Sequence, residues 1–263
     1  MNATDLTKLT TDSLDKLAVL LDAGQSIALS TLLKTMGRFH RYSFHNICLI
    51  TCQCPTATRV AGFHTWRAVG RFVRQGEKGI AILAPILRRR AVDERTDDVR
   101  SIAGFRAAYV FDVAQTDGEP LPDVAAASGD PGTRTMRLRD AIVSQGIVID
   151  DVSDLGGALG LSTGGRIQIL RHLGAAEAFV VLAHEYAHEL LHRAADRPTS
   201  RDTRELEAEA VAFVVGDAIG LDVADSSRDY IHLYRGDRDA LLASLDRIRH
   251  VAARILNAIE TPD

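Results

Sequence analysis

The chain has 263 residues, 46% of them hydrophobic and 25% charged, with a formal net charge of −4. That balance excludes a disordered or fibrous chain and suits one large globular domain or two small ones. No apolar run is long enough to span a bilayer, Met1-Asn2-Ala3-Thr4-Asp5 is not the start of a secretory leader, and Cys48, Cys52 and Cys54 crowd one short stretch; a cytoplasmic protein with no membrane partner is expected.

Residues 4–38 read as two helices broken near Gly24, with apolar stripes at Leu14, Leu17 and Leu21 and again at Ile27, Leu29, Leu32 and Leu33. Ser43 to Cys54 predicts a further helix, stopped by Pro55. Its His45, Cys48 and Cys52 share a face, which reads as small packed residues rather than a metal site. Val60 to Val73 is short and mixed, and Gln75-Gly76-Glu77-Lys78-Gly79 is a turn. Ile80 to Leu87 and Phe105 to Val113 predict two strands of a hairpin across the polar residues 91–100.

Val124 to Arg134, rich in Ala, Ser, Gly and Pro, marks a domain boundary, so residues 1–125 and 126–263 are expected to form separate domains. Met136 to Ser144 predicts a helix; Gly146 to Asp150 and Arg166 to Leu170 predict strands. An apolar run, Ala178 to Ala183, leads into His184-Glu185-Tyr186-Ala187-His188. After the segment Arg193 to Thr203 comes an acidic helix from Glu205 to Val215. A loop at Asp222 to Asp229 and a helix from Arg238 to Ile259 finish the chain.

The segment from His184 to His188 is an HExxH pattern. Residues four apart share one helix face, so both imidazoles can reach one metal ion, and Glu185 stands where a carboxylate can take a proton from metal-bound water. A buried pair of imidazoles without such an ion is costly. A catalytic site of this kind needs a third protein ligand. Glu205 and Glu209 share one face of the acidic helix with Ala212. Glu205 is expected to be the third ligand, and Glu209 the acceptor that holds a ligand histidine, or the two with roles exchanged. Glu207 reads as an N-terminal charge on a solvated turn. His192 lies too far along the helix to share the ion with His184 and reads as a helix-end residue. Zn²⁺ is the default for two histidines and a glutamate, with Mn²⁺ or Fe²⁺ as alternatives. Tyr230 or His232 can stabilise an oxyanion, although packing of their loop onto the last helix is the simpler reading. An edge strand at Arg166 to Leu170 can align an extended peptide by backbone pairing.

Charge is unevenly spread. From Lys34 to Arg90 stand 11 Lys/Arg against the single acid Glu77, whereas residues 91–263 hold 18 Lys/Arg and 30 Asp/Glu. The basic tract interleaves aromatics with cations, as a single-stranded nucleic-acid surface requires: bases stack and phosphates pair. Arg38, Arg41, Tyr42, Trp66, Arg67, Arg71, Arg74 and Lys78 are the expected contacts, although Trp66 and Phe63 taken singly read more readily as core than as stacking platforms.

The motifs Tyr42-Ser43-Phe44-His45-Asn46, Pro55 to Phe63, Thr65-Trp66, Gly70-Arg71 and Gly76-Glu77-Lys78-Gly79-Ile80 resemble the N-terminal domain of ArdC-type antirestriction proteins. Val110 to Pro122 resembles that domain's closing motif. The HExxH and Glu205-to-Glu209 segments resemble its zincin-like metallopeptidase domain, a relative of the ImmA/IrrE peptidases. The clustered Cys48, Cys52 and Cys54 depart from the family pattern. The resemblance implies an α+β chain of two modules: an α+β domain that binds single-stranded DNA and a mainly helical peptidase domain with a small sheet. It implies metal ligation by His184, His188 and Glu205 with Glu185 as general base, and protection of incoming mobile DNA from restriction. The expected partners are single-stranded DNA and a protein substrate. Rival expectations are a DNA-binding protector with a structural or idle metal site, a regulatory peptidase of the ImmA/IrrE kind, and a DNA mimic built on the acidic second half.

Overall fold

In the computed structural model, the described residues are 2–22, 27–89, 100–118, 129–193, 198, 200–223 and 238–260. They form an α+β protein of two compact units. One comprises Met1–Lys16 with Tyr42–Pro122, the other Leu17–Arg41 with Asp123–Asp263. The boundary expected between residues 125 and 126 falls outside the described residues. The assignment of Leu17–Arg41 to the second unit departs from the expected division of the chain.

The first unit holds the start of α1 (Ala3–Asp22), α3 (Phe44–Gln53), β1 (Val60–Gly62), α4 (Phe63–Ala68), β2 (Arg71–Val73), β3 (Ile80–Arg89), β4 (Arg100–Asp112) and β5 (Thr116–Gly118). Strands β1, β4 and β3 make an antiparallel sheet in that order, and β2 pairs with β5. Ser43 caps α3 by accepting from the Asn46 N–H, which fixes where the helix begins. Leu49 of α3 packs with Leu6 of α1 and Ala81 of β3 in the core.

Strand β3 is an edge, and its outer backbone groups are paired with side chains of α3. The Asn46 amide donates to the Leu83 carbonyl at 2.9 Å and accepts from the Leu83 N–H at 2.8 Å. Gln53 does the same for Ala81, at 2.9 and 3.0 Å. Two side-chain amides thus continue the ladder where a further strand would sit. Asp112, buried at the end of β4, accepts from the Thr58, Arg59 and Ala114 N–H groups and ties the entry of β1 to the turn after β4.

The second unit holds α2 (Ile27–Arg38), α5 (Arg134–Ser144), β6 (Val148–Val152), β7 (Gly160–Ser162), β8 (Arg166–Leu170), α6 (Ala175–Leu191), α7 (Arg201–Ala218) and α8 (Arg238–Ile259). Helix α7 is central and packs against α2, α6 and α8. It approaches α2 closely because residue 37 is glycine: a Cβ there would lie 2.8 Å from the Val214 carbonyl oxygen. The sheet order is β6-β8-β7, with β6 parallel and β7 antiparallel to β8. Strand β8 was expected to be the edge. It is the middle strand, and the edges are β6 and β7, the latter three residues whose glycine-rich flanks give no periodic signal. Among the described residues no helix is long and apolar enough to cross a membrane.

Candidate metal centre

Helix α6 brings the HExxH histidines onto the face that meets α7. His184 Nε2 and His188 Nε2 are 3.1 Å apart, and Glu205 Oε2 lies 3.6 and 3.4 Å from them respectively. Ser200 caps α7 by accepting from the Thr203 N–H, and the helix so started presents Glu205 at its second turn. These three atoms form a triangle of the size that a small cation demands. Bonds of about 2.0–2.2 Å at tetrahedral angles put ligand atoms roughly 3.3–3.6 Å apart. Glu209 lines the same cleft, but the triangle closes without it.

Glu185 is buried and accepts a hydrogen bond from the Ser162 backbone N–H of β7. Burial, then the nearby Glu205 charge, pushes its carboxyl up to about 7. Burial pulls His184 below the ordinary histidine value, and burial followed by the His184 charge pulls His188 down to about 4. Burial is the first cause of all three shifts, and each disfavours the charged form.

The β7 edge sits tightly on α6. A Cβ at Gly160 would lie 2.7 Å from both Glu185 Oε1 and Val181 Cγ1, so only glycine permits this approach. Glu189, one turn beyond Glu185, is buried and holds the β7–β8 turn. It accepts from Ser162 Oγ at 2.5 Å and from the Gly164 and Gly165 N–H groups at 2.9 and 2.8 Å. Both glycines have positive φ, 77° and 87°, which turns their N–H groups toward one carboxylate. Arg193 pairs with Glu189 from outside at 3.2 Å. A cleft of about 1240 Å³ opens over the triangle, walled by Leu161 of β7, Val181 of α6 and Phe213 of α7.

Glu207 is not a solvated charge. It is fully buried, accepting from His192 at 3.1 Å and from Arg247 of α8. His192, the C-cap of α6, is buried with its Nδ1 3.0 Å from His188 Nδ1. The acid-at-the-helix-start rule failed at Glu207 because its partners come from the end of α6 and from α8, the latter forty residues away, which local sequence does not reveal. The i, i+4 spacing of His184, His188 and His192 was the one available signal. Tyr230 and His232 lie outside the described residues.

The expected DNA contacts divide. Trp66 is core: it is 4% exposed and its Nε1–H donates to the Phe111 carbonyl at 2.8 Å. Arg71 binds Thr116 and spans β2 to β5, while Arg74 pairs with Glu77 and Asp117, so both hold the fold together. Tyr42 is half-buried. Arg41 pairs with Glu260 and, like Arg38, belongs to the second unit. Arg67 and Lys78 are exposed, as are Phe63, Phe72, Phe105 and Tyr109, all in the first unit. Cys48 is buried, which pushes its thiol up to about 12, and Cys52 is exposed.

Residues 22–111 match the family model described as the N-terminal domain of anti-restriction factor ArdC. The Mn(II)-bound crystal structure of antirestriction protein ArdC from the R388 plasmid shares the fold, with a TM-score of 0.53 and 16% identity over 96% of this chain and 98% of that one. The metal-free structure of the same protein gives a TM-score of 0.48 and 17% identity over 83% and 85%. No curated protein matches the chain. Residues 22–111 are thus similar to the N-terminal domain of ArdC, and the chain shares its fold with the R388 protein.

Proposed function

We propose that this chain is an antirestriction protein that binds single-stranded DNA and carries a divalent-metal peptidase centre, protecting incoming mobile DNA. The observation that carries the peptidase half is the triangle of His184, His188 and Glu205 beside a buried carboxylate under a strand edge. The ArdC-type match over residues 22–111 supports the antirestriction half.

His184, His188 and Glu205 would hold a zinc ion, which would supply Lewis acidity and a water of lowered pKa; manganese or iron would suit the same donor set. Glu185 takes the proton of the attacking water and returns it to the leaving amine. The Ser162 N–H keeps one Glu185 oxygen fixed, so the other has a defined direction from which to take the proton. The β7 edge lines the cleft and offers an extended peptide a strand to run along. In the first unit, Arg67 and Lys78 meet phosphates, while Phe63 and Phe72 offer stacking faces.

Glu185→Ala retains zinc, measured by elemental analysis, and loses cleavage of unfolded protein substrates. Unchanged cleavage rejects the mechanism. Fluorescence anisotropy with single- and double-stranded DNA, at two salt concentrations with and without chelator, tests the first unit. The exposed aromatics and cations also favour a second reading, in which occupation of single strands alone protects DNA. In that case Glu185→Ala keeps protection and Arg67→Glu with Lys78→Glu removes it.

A further inference from the structure

His188 has two nitrogens with different tasks. Its Nε2 faces the metal triangle, 3.1 Å from His184 Nε2 and 3.4 Å from Glu205 Oε2. Its Nδ1 lies 3.0 Å from His192 Nδ1, and His192 Nε2 lies 3.1 Å from Glu207 Oε2. Glu207 also receives the Arg247 guanidinium on its other oxygen. These groups are packed in: Glu207 is 0% exposed and the His192 side chain 5%.

Protons can be assigned along this row from its fixed end. A carboxylate paired with a guanidinium only accepts hydrogen bonds, so the facing His192 Nε2 carries hydrogen. With one hydrogen on its ring, His192 donates from Nε2 and accepts at Nδ1. A contact of 3.0 Å between two nitrogens then needs a proton from the other side, and His188 Nδ1 supplies it. His188 Nε2 is left with its lone pair aimed into the triangle.

We propose that His192 and Glu207 are positioning residues that lock His188 in the Nδ1–H tautomer, so that Nε2 is ready to take a divalent cation. The assignment deepens the metal-centre reading and rests on it for its purpose. An imidazole left to itself in water favours the opposite tautomer, with hydrogen on Nε2, which must be lost or moved before a cation binds. The row reverses that preference in advance and also fixes the plane of the ring. The spacing explains why the helix keeps a third histidine. His192 is four residues beyond His188, at the α6 C-cap, so its ring meets the Nδ1 side of His188 rather than the triangle.

The test uses the full chain, labelled with ¹⁵N and stripped of metal, in long-range ¹H–¹⁵N correlation spectra that distinguish the two tautomers. His188→Gln and His192→Asn spectra assign the signals. The wild-type protein is expected to show His188 as Nδ1–H and His192 as Nε2–H. His192→Phe removes the acceptor, shifts His188 toward Nε2–H, and weakens zinc binding about 10–100-fold in competition with a coloured chelator. His192→Asn keeps an acceptor near the Nδ1 position and recovers most of that affinity. Hydrogen on Nε2 of wild-type His188 overturns the proposal, and that measurement needs no variant to fold. An unchanged His188 tautomer in a folded His192→Phe protein overturns it as well. His184→Ala separates the two levels. If it leaves zinc affinity intact while the tautomers stand as assigned, the metal-centre reading fails and the relay loses its purpose.

Discussion

Glu189→Gln isolates one buried carboxylate while changing almost no volume. The carboxylate accepts three hydrogen bonds, two on Oε1 from Ser162 Oγ and the Gly164 N–H, and one on Oε2 from the Gly165 N–H. A glutamine keeps the first two by presenting its carbonyl oxygen. Its NH₂ then faces the Gly165 N–H, donor against donor, which costs about 1–3 kcal/mol for the unmet groups. Loss of charge from the two surviving bonds costs roughly another 1 kcal/mol each. The Arg193 pair is half exposed and adds little. A total of about 3–5 kcal/mol is therefore expected in denaturant unfolding of the second unit. Hydrogen exchange should accelerate most at Gly165, whose acceptor is gone, and less at Gly164, whose bond survives on the glutamine carbonyl. A loss below about 1 kcal/mol with unchanged exchange would refute the view that Glu189 anchors the β7–β8 turn.

Gly160→Val should leave zinc content unchanged but reduce peptide cleavage more than tenfold, because its first carbon would enter the space of Glu185 Oε1; normal turnover shows that β7 need not lie against Glu185. Asn46→Leu should cost the first unit about 2–4 kcal/mol, measured by thermal unfolding, because both outer backbone groups of Leu83 lose their partner. In metal-free protein the pH terms oppose one another. Neutral His184 and His188 favour folding above the ordinary histidine value of 6.5, and this is lost as pH falls toward about 4. Protonated Glu185 favours folding below 4.5, and this is lost as pH rises through about 7. Glu185→Gln should therefore show a steeper gain of stability between pH 4.5 and 7 than wild type, and parallel curves would contradict the burial argument. Adding zinc should raise the unfolding temperature of the second unit and leave that of the first unchanged.

The helices and the β3–β4 hairpin were legible because period and turn chemistry are local. So was the convergence of His184, His188 and Glu205, since helical spacing puts two on one face and the third shares its own face with the apolar half of α7. What escaped depends on partners distant in sequence. Glu207 looked like a helix-start charge until α8 supplied Arg247. Arg71 and Arg74 looked like phosphate ligands, yet Thr116 and Asp117 hold them. Trp66 could be read as core or as a stacking face, with core the commoner reading, and the Phe111 carbonyl on its ring nitrogen agrees with core. Strand β7 has three residues among glycines, too few for any alternation to show. The apolar stripe of α2 predicts burial but not in which unit, and only Gly37 hints at a close helix neighbour.

The placement of α2 bears on how this protein can be taken apart. Neither unit is a continuous stretch of chain, since Leu17–Arg41 belongs with Asp123–Asp263. A truncation starting at residue 126 would keep every candidate metal ligand and still strip a helix from α7. Val214, wholly buried in the full chain, would then face water together with the neighbouring wall of its core. The complementary fragment, ending near residue 125, would carry Leu29, Leu32 and Leu33 with no core to enter. Loss of activity in either fragment would report a missing helix rather than a missing function, whereas point substitutions in the intact chain separate the two.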